Sequence, residues 1–316
     1  MKSRYDVVIA GGGMVGASLA LALAKVFNDT LDILVVESFP LPPTGELSYQ
    51  PSFDARSTAL AAGSQEIYAG LGVWDTLAPQ ACPIDSIHVS TRGRPGSTVM
   101  QAQDESLPAL GYVVENPWLG RVLLDHLQRF SSLHWCAPAT VRTVSMLADA
   151  RCRVTLEKNG DKFEVDGELL VIADGACSAL AASLGIAYRR NDYGHQAIIA
   201  NIATAKPHRG RAFERFTDQG PMALLPLQAN GATSRSALVW TMPDSLAAAT
   251  TALDDGAFLA QLQQRFGYRL GAFTKLGERH SYPLQLVEAV EQVRRAVVVV
   301  GNAAHFLHPV AGQGFN

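Results

Sequence analysis

Charge is scarce in this sequence. Only 17% of the 316 residues are Asp, Glu, Lys or Arg, and 26 basic against 29 acidic side chains leave a formal net charge of -3. Such a balance excludes a general attraction to nucleic acid or to anionic lipid. The short basic clusters Arg189-Arg190, Arg209-Arg211 and Arg294-Arg295 read as solvated surface. Cysteine is equally sparse: Cys82, Cys136, Cys152 and Cys177 include no CxxC pair, and no signal peptide precedes them. The expectation is a reduced, cytoplasmic protein. Long hydrophobic runs are missing as well. The longest nearly apolar stretch, Met14 to Ala24, is interrupted by Gly16 and Ser18 and is too short to span a bilayer. Any membrane contact is therefore expected to be peripheral or to come from residues outside this sequence. No internal repeat or low-complexity linker divides the chain.

What is present is a compact, core-forming composition. Hydrophobic residues make up 48% of the sequence, and the length suffices for two structural domains. Tyr5 to Ala10 is an apolar run that stops at three glycines and reads as a buried parallel strand. Met14 to Phe27 is rich in Ala and Leu and reads as a helix, and Leu31 to Glu37 as a second strand. Strand, glycine turn, helix and strand make a βαβ unit. Further helices are expected over Ser57–Leu71, Trp118–Phe130 and Asp254–Phe266. The period shortens toward two over 84–101 and 196–241, where several strands of one antiparallel sheet are expected. Ala296 to Val300 is one more apolar strand, ending at Gly301.

Gly11, Gly13 and Gly16 fit GxGxxG. The first makes a tight turn, the second admits a pyrophosphate to the backbone, and the third lets helix pack on strand. The following helix offers free N–H groups and the positive end of its dipole to phosphate. Glu37, placed as an exposed acid at the end of the second strand, has the spacing expected of a ribose-binding carboxylate. An ordinary glycine turn would not need strand, helix and acid together. The acid points to NAD or FAD rather than NADP at this position.

Two later segments bear on that choice. Leu169 to Ser178 is an apolar strand ending in Asp174-Gly175, and Val297 to Asn316 reads VVVVGNAAHFLHPVAGQGFN. In order and spacing, the three segments resemble the fingerprints of the flavoprotein aromatic hydroxylases. Phe53-Asp54-Ala55-Arg56 and Phe213-Glu214-Arg215-Phe216 through Leu227 are similar to the ubiquinone-biosynthesis branch of that family. The resemblance implies an α/β, Rossmann-like FAD-binding domain formed by 1–83, 102–185 and 278–316. An inserted antiparallel β-sheet substrate domain would comprise 84–101 and 186–277. It implies FAD as cofactor, NAD(P)H as co-substrate, and O₂ with a polyprenyl phenol such as 2-polyprenyl-6-methoxyphenol as substrates. A sister hydroxylase acting at another ring carbon, or a non-catalytic scaffold of a quinone-making assembly, remains an alternative. Ring carbon, prenyl length, NADH versus NADPH and oligomeric state stay open.

By the same resemblance Pro309, Gly312, Gln313 and Gly314 form the loop beside the isoalloxazine. Gly301 and Asn302 belong to the third fingerprint, Asp174 bonds the ribityl chain, and Arg56 and Arg121 contact flavin or its pyrophosphate. Asn302 stands where the family has Asp, which implies weaker flavin affinity, and Ala181 stands where an Arg is usual. The family continues beyond the position of Asn316, so the last loop is expected to lack its helix. His305 and His308 lack a neighbouring carboxylate or Cys and suit a flavin loop better than a metal. No residue in these motifs declares itself a catalytic base.

Overall fold

The computed structural model describes residues 2–43, 56–308, 312 and 314–316. At its centre lies the Arg4–Ala10 strand, parallel to Ile33–Val36 on one side and to Asp161–Ile172 on the other. Leu133–Cys136 and Val297–Val299 extend the parallel array at its two flanks. Side chains of a strand alternate between faces, and here both faces are apolar. Val7, Ile9, Ile33 and Val35 pack with Ala17, Ala20, Leu21 and Leu119 of the helices Met14–Val26 and Asn116–Leu127. Val8, Ala10, Leu34 and Val36 pack on the other side with Val154, Leu156 and Val165. These belong to an antiparallel ribbon of Thr140–Met146, Cys152–Lys158 and the first half of Asp161–Ile172. Helices therefore cover one face of the parallel sheet and a β ribbon covers the other.

The second sheet has nine strands and is antiparallel apart from one pair, Ser86–Thr91 with Arg211–Thr217. Its long member Tyr188–Thr204 pairs with Thr233–Pro243, and Gly220–Asn230 links that strand to Arg211–Thr217. Helices Asp244–Thr251 and Asp255–Phe266 cover one face, where Ile198, Leu224, Leu238 and Trp240 meet Phe258, Leu262 and Phe266. Asp254 starts the second of these helices by accepting the Ala257 N–H at 2.8 Å. His280–Ala289 and His305–Phe306 also hydrogen-bond into this sheet, so the sheets do not part at residue 278.

One expected helix is shorter than the sequence suggests. Ser57–Ala61 is a strand, paired antiparallel with Gly111–Glu115, and only Ala62–Gly70 is helical. The pairing is close at Gly111, opposite Ala61: a Cβ on Gly111 would lie 2.4 Å from the Leu60 carbonyl oxygen. Together with Cys82–Ile84 these strands form a third, small sheet. Its members Ile84 and Val113 pack against Ala212 and Ala237 of the nine-stranded sheet. That contact joins the two large layers.

The helical cover of the second sheet depends on Phe258, which is fully buried with its ring 5.5 Å from Trp240 in an edge-on arrangement. Phe258→Ala should cost about 3–5 kcal/mol, the range for deleting a buried aromatic ring. Urea unfolding checks this, and a loss below about 1 kcal/mol, typical of surface positions, would contradict the packing described.

Candidate functional site

Two of the three sequence motifs meet at Gly11. Its N–H donates to the Val36 carbonyl at 2.8 Å, and its φ of +103° suits glycine. A Cβ there would lie 2.4 Å from the carbonyl oxygen of Ala173, at the end of the second motif's strand. Gly16 seats the helix on the loop, since a Cβ on it would stand 1.9 Å from the Gly11 carbonyl oxygen. The third motif arrives from the other side. Gly301, with φ +59°, is so close to Val15 that a Cβ would lie 2.8 Å from its Cγ2. The Val300 N–H donates to Ile172 at 2.9 Å, which aligns the ends of the strands.

Gly13 differs from its neighbours. Its φ of -69° and ψ of -169° are extended backbone that any residue adopts, and no side chain caps the helix it precedes. Among the described residues no side chain accepts from the first-turn N–H groups of that helix. They open on a cleft of about 340 Å³ lined by Gly11, Gly13, Glu37, Phe39, Thr140 and Asp174, among others.

Glu37 is not the exposed carboxylate that its strand-end position suggests; it is 7% exposed. One oxygen accepts the Gly12 N–H at 2.8 Å, and the other accepts from the Ser38 hydroxyl at 3.1 Å and the Phe39 N–H at 3.0 Å. The loop after the strand folds over the acid, which in turn fixes the glycine turn. A carboxylate has roughly four acceptor sites, so about one remains for a hydroxyl in the cleft. Asp174 borders the same cleft. Ser178 donates to its Oδ2 at 2.8 Å while capping the next helix through the Ala181 N–H at 3.0 Å. Crowding by the surrounding protein raises the Asp174 carboxyl above its ordinary value, and the Ser178 bond opposes the shift. A helix start without a side-chain cap, an acid with an open acceptor site and a cleft of about 340 Å³ together fit the adenylate half of a dinucleotide such as FAD.

Other expected positions lie elsewhere. The Arg56 guanidinium stacks over the Tyr282 ring at 4.9 Å, between the small sheet and the nine-stranded one. Arg121 pairs with Asp125 at 3.6 Å and lines a separate cavity of about 30 Å³ behind Trp135. Neither lines the larger cleft. Asn302 is exposed beside Gly301. Gly312, with φ +62°, accepts from the Asn316 amide at 2.8 Å. That amide also bonds the Ala59 carbonyl and the Ala61 N–H, at 2.9 and 2.7 Å, so the last residues are tied to the Ser57–Ala61 strand. Gly314 is exposed; Pro309, Gln313 and the Phe53-Asp54-Ala55 part of the family segment lie outside the described residues. His308 stacks edge-on against Tyr193 at 5.4 Å, and burial, helped by His195, lowers its pKa. Among the described residues no cluster of His, Cys, Asp and Glu could hold a metal ion.

One residue with unusual chemistry was visible in the sequence only as part of a family segment. Glu214 is partly buried on the Arg211–Thr217 strand, and burial alone pushes its carboxyl up to about 7.

Known proteins place this geometry. The sequence profile described as FAD binding domain matches residues 4–316. Over 311 residues the chain is 37% identical to the ubiquinone hydroxylase UbiL of Rhodospirillum rubrum, covering 98% of this chain and 69% of that protein. It is 30% identical to the 3-demethoxyubiquinol 3-hydroxylase of Escherichia coli K12, covering 98% of this chain and 76% of that one. Among solved structures, PqsL of Pseudomonas aeruginosa in complex with 2-aminobenzoylacetate superposes with a TM-score of 0.80. At 20% identity, over 99% of this chain and 82% of that one, it is similar in fold alone.

Two substitutions test the cleft. Gly13→Val leaves a permitted backbone but fills the space before the helix, so FAD should no longer bind while the melting temperature stays close to the parent's. A yellow Gly13→Val protein with parental flavin content would refute the placement. Glu37→Ala strands the Gly12 N–H, at a cost of about 1–3 kcal/mol. It should therefore lower both stability and FAD affinity, as thermal melts and flavin titration will show; an unchanged melting temperature would mean that Glu37 does not hold the turn.

Proposed function

The chain belongs to the FAD binding domain family, and on that premise we propose that it hydroxylates the aromatic ring of a polyprenyl phenol in ubiquinone biosynthesis, using NAD(P)H and O₂. The observation that carries this reading is the 37% identity, across nearly the whole chain, to a protein named as a ubiquinone hydroxylase. The cleft and the sheet architecture are consistent with it. The enzyme is an FAD-dependent hydroxylase. When bound, the flavin supplies the redox chemistry through which one oxygen atom enters the ring.

The chain's own residues hold and orient the reactants. In this proposal Gly11, Gly13, Gly16 and the helix start at Met14 take the pyrophosphate, where backbone N–H groups and the helix dipole meet negative charge. The remaining acceptor site of Glu37 takes a ribose hydroxyl, and Asp174 the ribityl chain. Gly301 and Asn302 border the flavin from the third motif. Pro309, Gly312, Gln313 and Gly314 form the loop against its pyrimidine edge, where N–H donors would stabilise negative charge. Arg56, held over Tyr282, stands between the two layers and contacts the flavin from that side; Arg121 serves the pyrophosphate. The phenol lies on the open face of the nine-stranded sheet. Ile199, Ala223 and Val239 are partly exposed there and offer a ring and its prenyl tail an apolar surface. Among the described residues no helix is long and apolar enough to cross a membrane. A prenylated substrate would then be met at the membrane periphery or within a quinone-making assembly.

The test is direct. The purified protein is loaded with FAD and given NAD(P)H, air and a short-chain 2-prenylphenol, and the product is analysed by mass spectrometry. The expected result is phenol-stimulated NAD(P)H consumption and a product one oxygen atom heavier, whose fragmentation identifies the ring carbon. A flavin-loaded protein that shows no phenol-stimulated NAD(P)H consumption, and leaves every prenylphenol unchanged, would favour the scaffold reading instead.

A further inference from the structure

The nine-stranded sheet has one face under helices and one turned toward the nucleotide layers. On the second face, strand register sets Val89, Glu214, Ala223, Val239 and Ile199 in one row across five strands. All five are partly exposed. To one side of this row, Ala212 and Ala237 are buried under Ile84 and Val113 of the small sheet. To the other side, Tyr282 pairs with Ala197 and carries the Arg56 guanidinium. Glu214 is thus the single charged member of an apolar, accessible row between two contacts that bring the nucleotide layers against the sheet.

Its carboxylate has no hydrogen-bond or ion-pair partner among the described residues. The adjacent Arg215 turns to the helical face, donating to the Arg265 carbonyl at 3.1 Å and to Ser90 at 3.2 Å. Other ionisable side chains of the open face are engaged elsewhere. Arg235 pairs with Glu115 at 2.8 Å, His195 bonds the Tyr193 carbonyl, and His280 lies 3.7 Å from Glu278. On the flanking strands its registered neighbours are Val89 and Ala223, neither of them ionisable. A partly buried carboxylate without a partner is costly, and packing alone would favour an apolar residue here. Its pKa of about 7 stems from burial alone and leaves it divided between acid and base near neutral pH. That is where a proton-transfer group works best.

We propose that Glu214 is the residue that seats the substrate's phenolic hydroxyl on this face and accepts its proton. This rests on the polyprenyl-phenol reading above. The phenol O–H bond breaks, the proton passes to a Glu214 oxygen, and the electron pair stays on the phenolic oxygen and delocalises onto the ortho and para ring carbons. One of those carbons uses that pair to form the new C–O bond with one oxygen atom that the flavin-dependent reaction derives from O₂, as the O–O bond breaks and takes its electron pair with the second oxygen atom. The ring then loses the proton from that carbon to restore aromaticity, that proton leaves with the second oxygen atom as water, and Glu214 returns its own proton to the phenolic oxygen. A proton acceptor on the apolar wall makes the ring electron-rich only when it is seated, which couples ring activation to binding.

The isosteric Glu214→Gln variant tests this by two readouts. In the first, flavin-free protein binds 2-prenyl-4-nitrophenol, whose phenolate absorbs to the red of its phenol, in a buffer below the free phenol's pKa. The parent should show a gain in phenolate absorbance on binding and the variant none. In the second, flavin-loaded parent should show kcat/KM rising as pH passes through about 7, since the carboxylate must be ionised to accept the proton. In the variant that limb should vanish and kcat/KM at neutral pH fall by about 10²–10⁴-fold. Equal flavin content in the two proteins separates a lost proton acceptor from a lost cofactor. A variant that keeps the absorbance gain or the acidic limb overturns the role of Glu214 and leaves the hydroxylase reading standing. If neither protein binds any prenylphenol although both hold FAD, the polyprenyl-phenol reading falls and this inference with it.

Discussion

The site depends on a place where no side chain fits. At Gly11 the backbone of the first motif lies so near the end of the second that a Cβ would stand 2.4 Å from the Ala173 carbonyl oxygen. Gly16 is tighter still, since a Cβ there would stand 1.9 Å from the Gly11 carbonyl oxygen. These contacts bring two parallel strand ends and a helix start to one point, and the helix start is what an anion recognises. A methyl group at either position would push helix from strand or strand from strand, and the cleft would lose its floor. Gly301 against Val15 fixes the third motif by the same kind of contact, at 2.8 Å. Three segments distant in sequence are therefore held together by shape before any ligand is considered.

The polar groups of the cleft are held as firmly as the backbone. Glu37 is buried, yet its three protein donors offset the cost of removing a carboxylate from water. Asp174 accepts from Ser178, which also caps a helix and so cannot swing away freely. Both acids are placed by strand ends of the rigid parallel sheet, which gives a cofactor a preorganised set of acceptors. Glu214 stands in contrast. Among the described residues nothing satisfies it, and its registered neighbours on the open sheet face are apolar. A satisfied acid serves structure and cofactor binding; an unsatisfied one facing accessible space is suited to exchanging a proton with what binds there.

Much of this was legible in the residues. Tyr5–Ala10 and Ala296–Val300 announce buried strands because parallel strands apolar on both faces read as continuous runs, and the glycine spacing marks the turn. The mistakes have physical causes. Ser57–Ala61 joins an alanine-rich stretch of good helix propensity, but pairing with Gly111–Glu115 overrides that local preference. Glu37 reads as exposed because a strand end usually is; the fold of Ser38 and Phe39 over it appears only in three dimensions. Glu214 could not be singled out from sequence, because its distinction is the absence of partners on neighbouring strands, and register decides which residues those are.

The central claim is that three separated motifs form one flavin site, and hydrogen exchange measured with and without FAD tests it most directly. The account predicts that FAD slows exchange together at the amides around Gly12–Val15, at Ser38–Phe39, at Asp174–Gly175 and at Gly301–Asn302. Protection confined to one of these segments, or appearing on a different face while they exchange as before, would contradict it.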